Sequence, residues 1–379
     1  MSEESQLPAG ELRISRGAIL AYRIFDIGDE VALDAAERML ADAPGRKRAT
    51  LTRDGAKCLQ VAVSPLDVSL GKRKVELAPG RTVEAEVTVR FYEYGAASVV
   101  FEVPIAPGIF LADLVPVCAE IYDSPVLEAL ARREVDLLLS RLRGAADGRP
   151  PWHAVETYTV VFVEALEGNP SPARILASPV LPKLLLGELG PKKLSDEECG
   201  DVLKHAHAYF EDDLTVIDWN SAFVLQPSGN RDIPHILEFA TSQLLELRYY
   251  DDLLDAELAR IYSDFATARR DWRTVIRSPY SRLARQVIRR IVEVTEFTER
   301  VDNSLKVVGD FYLARVYQSS VRRFRIPAWR SSVDAKQALV ERAYELLKGE
   351  VEIRRSTLLE LIVIVLIVLE LFVAFRGGR

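Results

Sequence analysis

His205-Ala-His207, with Cys199 shortly before it, is the nearest this chain comes to a set of metal ligands. Two imidazoles and a thiolate would suit zinc. The run opens, however, at Ser195-Asp-Glu-Glu198, a capping box that predicts a helix over 197–208. Residues i and i+2 of a helix point apart, so no metal is expected. Two acidic clusters raise a similar question, Glu211-Asp212-Asp213 ahead of a strand and Asp251-Asp252 with Asp255 on a helix. Either could attract a cation, and each reads first as solvated surface. Arg269, Arg270, Arg273, Arg277, Arg282, Arg285, Arg289 and Arg290, with Trp272 and Tyr280 among them, form a basic stretch. Anionic lipid headgroups or ribosomal RNA would bind such a surface; its plainer role is a coiled-coil face paired to acids elsewhere. P-loop, Gly-x-Gly-x-x-Gly, His-Glu-x-x-His and Gly-x-Ser-x-Gly patterns are absent. Neither catalysis nor a cofactor is expected.

The remaining residues singled out by type and spacing are Leu359-Glu360 and Leu369-Glu370, in the apolar run from Leu358 to Phe375. At about 1.5 Å per residue these eighteen positions cover roughly 27 Å, close to a hydrocarbon core of about 30 Å. A carboxylate at mid-helix costs on the order of 2.5–3.5 kcal/mol to insert. One glutamate must then sit at depth, most simply against another copy of the helix. The expectation is a transmembrane helix at 356–376, contacting membrane lipids as part of a homo-oligomer.

Composition sets the frame for these elements. The chain has 379 residues, 49% hydrophobic and 28% charged, with a net charge of -7, enough for two domains and a substantial core. The charge is uneven: residues 253–330 carry 16 Lys and Arg against 9 Asp and Glu. Cys58, Cys118 and Cys199 are far apart and odd in number, as reduced cytosolic thiols would be. The first residues lack the basic and apolar regions of a secretory signal.

Strands are expected at 13–27, 49–51, 58–63, 83–90, 97–103, 156–166, 214–218 and 222–225. Val83, Ala85, Val87 and Val89 alternate with Glu84, Glu86, Thr88 and Arg90, the pattern of a half-buried antiparallel strand. Helices are expected at 31–41 and 111–142, the latter broken near Pro125. From Asp232 the period is helical. Residues 233–268 form one helix, and Ser278-Pro279 caps another. Positions 280, 284, 287, 291, 294, 298, 301, 305, 308 and 312 then repeat at 4,3 spacing, as do 333, 337, 340, 344, 347 and 351. These are coiled-coil seams, joined at Ile326-Pro327 into an antiparallel hairpin of 280–325 and 331–355. The fold class is α+β: a mixed head over 1–230, a helical stalk over 231–355 and the terminal helix.

Several of these runs resemble the required-for-meiotic-nuclear-division proteins, a family defined by a domain of unknown function, here in a bacterial-type form. Leu359-Glu360 and Leu369-Glu370 look like that family's closing motif. Residues 303–317, Asp213-Leu-Thr-Val-Ile-Asp218, Leu237-Glu-Phe-Ala240, Leu245-Glu-Leu-Arg-Tyr-Tyr-Asp251 and Phe91-Tyr-Glu-Tyr-Gly95 are similar to its earlier parts. The resemblance runs from about residue 85 to the end and is strongest after 213. It implies a membrane-anchored, oligomeric protein with no established catalysis, and, from one mitochondrial member, support of translation at a membrane. Together these readings predict a tail-anchored scaffold or tether, its bulk on the cytoplasmic face. Alternatives are a membrane-associated RNA- or ribosome-binding factor, or an enzyme with an unrecognised site in the head.

Overall fold

Fourteen residues, Arg13–Asp26, make β1, and the sheet is built outward from both of its edges. The computed structural model describes residues 12–28, 30–40, 47–48, 64–142, 144, 146–147, 151–268, 288, 292, 295–296 and 311–377. Along the chain come β2 (Glu30–Val31), α1 (Leu33–Met39), β3 (Lys47–Arg48), β4 (Leu66–Ala78), β5 (Arg81–Phe91), β6 (Ala96–Pro104) and β7 (Ile109–Phe110). Next are α2 (Leu111–Tyr122), α3 (Pro125–Arg141), β8 (Ala146–Asp147), β9 (Val155–Leu166), α4 (Pro172–Leu176), α5 (Val180–Leu186) and α6 (Asp196–Leu203). β10 (Ala206–His207), β11 (Leu214–Ile217), β12 (Ser221–Leu225), α7 (Asp232–Ala268), α8 (Phe311–Arg323) and α9 (Ile326–Gly377) complete the described elements. The sheet order is β10-β11-β12-β9-β1-β6-β5-β4-β3, with β7 also on β1. β12 runs parallel to β9, and the other pairings in this sheet are antiparallel.

Two compact units divide the chain. The first takes residues 1–246 and 303–327, so it extends past the 1–230 head expected from sequence. Period-2 alternation gives its sheet two faces. Ile19, Ala21 and Phe25 of β1 join α2, α3 and α5 in one apolar core. Leu20, Tyr22 and Ile24 are buried on the opposite face. Arg23 breaks the apolar pattern on the helix side. Its guanidinium donates to Tyr22 O (2.8 Å), Ile121 O (2.5 Å) and Tyr122 O (3.3 Å), the last two being carbonyls at the C-terminal end of α2. Such carbonyls have no partner within the helix, and a cation there complements its dipole. Burial pulls the Arg23 pKa down from its usual value to about 10, against the pull of Asp123 and Glu128.

The second unit takes residues 247–302 and 328–379. Within it Lys336 bridges Asp251 (2.8 Å) and Asp255 (2.6 Å), and Ser332 Oγ donates to Asp251 at 2.6 Å. Val333 and Val340, seven apart on the expected seam, are buried. The coiled-coil pairing itself is not shown, and most of the first seam lies outside the described residues. α9 begins at Ile326 rather than at Ser331. Pro327 fits a first helical turn, where its missing N–H costs nothing, and the break falls on Arg325, with φ of 56°.

The membrane helix expected at 356–376 is not borne out. Among the described residues, no helix is long and apolar enough to cross a membrane. Glu360 and Glu370 are both exposed and bracket a charge-free run from Leu361 to Leu369. That run rises only about 14 Å, under half of a hydrocarbon core. The sequence reading let one glutamate sit at depth to lengthen the run. Without that allowance, the tail-anchored membrane scaffold, its single-pass C-terminal anchor and the location built on them all fall. Leu359, Glu360, Leu369 and Glu370 are exposed helix residues. The strands expected at 49–51 and 58–63 lie outside the described residues.

Candidate ligand pocket

A pocket of about 520 Å³ opens on the face of the first unit's sheet that carries Tyr22. Five strand and helix segments supply its walls: Leu20 and Tyr22 from β1, Asp67 and Ser69 from β4, Glu86, Thr88 and Arg90 from β5, Val100 and Glu102 from β6, and Pro234, His235 and Glu238 from the start of α7, with Arg231 just before it. Strand register explains the gathering. Asp67 pairs with Arg90, Glu86 with Glu102, Thr88 with Val100, and Leu20 with Glu102, so their side chains share one face. Asn230 Oδ1 accepts from Asp232 N at 2.7 Å, and Pro234 occupies the first turn, which fixes where α7 starts.

Arg90 is the centre of the network. Its Nε and Nη2 make a forked pair with Asp67 (2.7 and 2.9 Å), Nη1 donates to Glu238 Oε2, and Nη2 lies 3.3 Å from His235 Nε2. Forked guanidinium–carboxylate bonds are directional and among the stronger hydrogen bonds. The paired carboxylates hold the Arg90 pKa well above its usual value although burial opposes them. Glu238 has no exposed surface, and burial raises its carboxyl pKa while Arg90 pulls it down. Ser98 beside it also opposes the rise, yet Ser98 Oγ and Glu238 Oε1 are both buried without reaching hydrogen-bonding geometry. Burial, with Glu238 nearby, also pushes the Tyr22 and Tyr92 hydroxyls well above their usual range. At the rim Arg231 bonds Glu102 at 2.8 Å and lies over the Phe162 ring at 4.4 Å. Tyr94 and Ser242 share a 2.5 Å hydrogen bond that ties the β5–β6 turn to α7.

The residues favoured by sequence spacing take other parts. His205 lies in the turn after α6, which ends at Leu203, and His207 belongs to the two-residue β10, so neither is on the helix expected over 197–208. Burial lowers both pKa values, and nearby cations add to this: Arg323, Lys204 and Arg322 for His205, and His205, Arg315 and Arg322 for His207. His205 Nδ1 is 2.8 Å from Ser319 Oγ. Among the described residues, no group of His, Cys, Asp and Glu is placed to hold a metal ion. Asp213 Oδ1 accepts from Tyr209 N at 2.7 Å, while Glu211 and Asp212 line a second pocket, of about 460 Å³, with Arg16 and Glu164. Asp251 and Asp255 serve Lys336. The eight arginines from Arg269 to Arg290 lie outside the described residues.

Sequence reasoning placed Arg90 on a solvated strand face and missed the site. Two signals were available. Glu84, Glu86, Thr88 and Arg90 were read correctly as one face, and Glu238 lies within a run already singled out by likeness. What could not be seen was α7 folding over that face.

The fold and site define a class: an α+β domain whose antiparallel-dominated sheet and overlying helix enclose a charged pocket. The chain belongs to the family described as "Uncharacterized protein MJ0711, N-terminal domain", whose family model matches residues 16–232. The match contains the pocket's strand residues and Arg231, and it ends just before Pro234, His235 and Glu238. The chain is similar to the Uncharacterized protein MJ0711 of Methanocaldococcus jannaschii, at 24% identity over 198 residues, which are 52% of this chain and 58% of that protein. The match thus spans less than two thirds of the relative. No solved structure matches the chain.

Proposed function

We propose that the first unit is a ligand-binding domain that takes a small polar molecule into the pocket between β4, β5, β6, β1 and the first turns of α7. The observation that carries this reading is the pocket itself, about 520 Å³ between four strands and the start of α7, with the polar side chains of Asp67, Thr88, Arg90 and Glu102 converging on one sheet face. The pocket's size lies within the usual range for small-molecule sites. Kinship with the required-for-meiotic-nuclear-division proteins is kept as part of this proposal. Its support is the likeness in sequence of the runs at 213–218 and 303–317.

The test is a thermal-shift and native mass spectrometry screen of the full chain against cationic, anionic, zwitterionic and neutral small molecules. Thr88→Trp, which would fill the pocket from β5, is the control. A compound that stabilises the protein and is lost with Thr88→Trp supports the reading. No stabilising compound, or binding undiminished by Thr88→Trp in a folded variant, overturns it.

A further inference from the structure

We propose that the C-terminal part of α9 is a self-association surface, which packs in parallel against the same segment of further copies of this chain. Three pairs lay α7 alongside α9: Arg248 over the Trp329 ring at 5.7 Å, Ser332 Oγ donating to Asp251 at 2.6 Å, and Lys336 bonding Asp255 at 2.6 Å. Each pair joins residues 81 apart, so the two helices run in the same direction. Helices rise equally per residue, and Ala268, where α7 ends, is therefore level with Gly349. α9 runs on to Gly377, roughly 42 Å beyond that level. Within the paired stretch Val333 and Val340 are buried, whereas past it Leu359 and every residue from Ile362 to Leu369 are 44–62% exposed. These nine apolar residues present on the order of 900 Å². That exceeds the largest apolar patch of a typical monomer, and it matches what one partner contributes to a stable interface.

The sequence spacing identifies the occupant. The 4,3 stripe of 333, 337, 340, 344, 347 and 351 continues through Arg354 to Leu358, Leu361, Val365, Val368, Phe372 and Phe375. With these as heptad positions a and d, Ile362, Ile364 and Leu369 flank the seam at e and g and widen it. Glu360 and Glu370 then fall at c and f, on the side away from the seam. A stripe that meets its own copy in register places like residues in each layer, Leu on Leu and Val on Val, and needs no complementary sequence elsewhere. Both carboxylates stay in water in such a bundle. Apolar surroundings on every side would enclose them, which is costly.

Sedimentation velocity of the full chain without detergent reads the mass. The wild type should sediment as a defined particle of two or more chains. Val365→Glu/Val368→Glu, two exposed substitutions on the seam, should reduce it to a single chain, while Val363→Glu, seven residues before Glu370 on the opposite side, should leave it assembled. In a Cys58→Ser/Cys199→Ser background with copper–phenanthroline and air as oxidant, Val365→Cys should form a disulfide-linked pair and Val363→Cys should not. A single-chain wild type, an assembly that survives Val365→Glu/Val368→Glu, or equal cross-linking at 363 and 365 overturns the proposal. So does flotation of the wild type with phosphatidylcholine–phosphatidylglycerol vesicles that Val365→Glu/Val368→Glu abolishes, which would assign the surface to lipid.

Discussion

Replacing Arg90 with methionine removes the one cation that Asp67 and Glu238 share. Methionine keeps the length and apolar stem of the side chain, so the loss is mainly charge and hydrogen bonds. Glu238 is then left in the interior with no compensating cation. Breaking a buried ion pair from one side costs about 3–5 kcal/mol, and at about 1.4 kcal/mol per tenfold the first unit's folding constant falls roughly a hundred- to several-thousand-fold. The effect depends on pH with a definite sign. Burial already raises the Glu238 carboxyl, and Arg90 counters the rise. Without Arg90 it climbs further, so the folded variant holds a proton that the unfolded chain has released. The variant therefore regains stability as pH falls towards that raised value, and its deficit against wild type is larger at pH 7.5 than at pH 5. Hydrogen exchange of β5 amides and of α7 amides up to Glu246, followed against denaturant at both pH values, reads this in the first unit without averaging over the second. Arg90→Met/Glu238→Leu should recover part of the loss by removing the stranded carboxylate. A deficit below about 1 kcal/mol at pH 7.5, or one independent of pH, would refute the reasoning.

Three further outcomes are expected. Gly17→Ala places a methyl 2.6 Å from the backbone oxygen of Phe162 and 3.2 Å from Val163 Cα, where no side chain can swing aside, so thermal denaturation should show a loss of about 1–3 kcal/mol. Cys118 is wholly buried and its thiol is pushed up to about 12, whereas Cys199 is partly exposed; maleimide labelling at pH 8, mapped by mass spectrometry, should modify Cys199 first and spare Cys118 until unfolding. His205 and His207 have depressed folded pKa values, so the unfolded chain takes up their protons first and the stability that neutral imidazoles contribute is lost as pH falls below about 6.5. Imidazole NMR titration should show both titrating below that value, and the protection of β11 amides relative to their intrinsic exchange rates should fall between pH 7 and 5.

Local chemistry made many elements legible in the sequence. The break expected near Pro125 is the start of α3, where Ser124 Oγ accepts from Leu127 N. The alternation at 83–90 became β5, and the break at 94–96 became the turn into β6. β4 escaped because Gly71, Lys72, Arg73 and Lys74 interrupt its apolar rhythm; a register shift between Ser69 and Gly71 absorbs the glycine, which has a φ of 71°. His205 and His207 were misplaced because a helix start at Ser195 gives no sign of its end. The pocket was illegible for another reason. Arg90 meets Asp67 across 23 residues and Glu238 across 148, and a polar strand face reads alike whether water or a helix covers it. Glu360 and Glu370 show the reverse error, since an apolar run was given a span that its charges interrupt.

The central position of β1 has a consequence for how the chain is made. Both its edges are paired, to β6 on one side and β9 on the other, and β9 ends at Leu166. At ribosomal rates of about 5–20 residues per second, on the order of ten seconds separate the synthesis of β1 from that of β9. Through that interval an apolar strand, Ile19 to Phe25 interrupted by Arg23, has at least one unpaired edge. Nascent chains of this protein are therefore most open to mispairing before residue 166 emerges, and that window is where chaperone contact should concentrate.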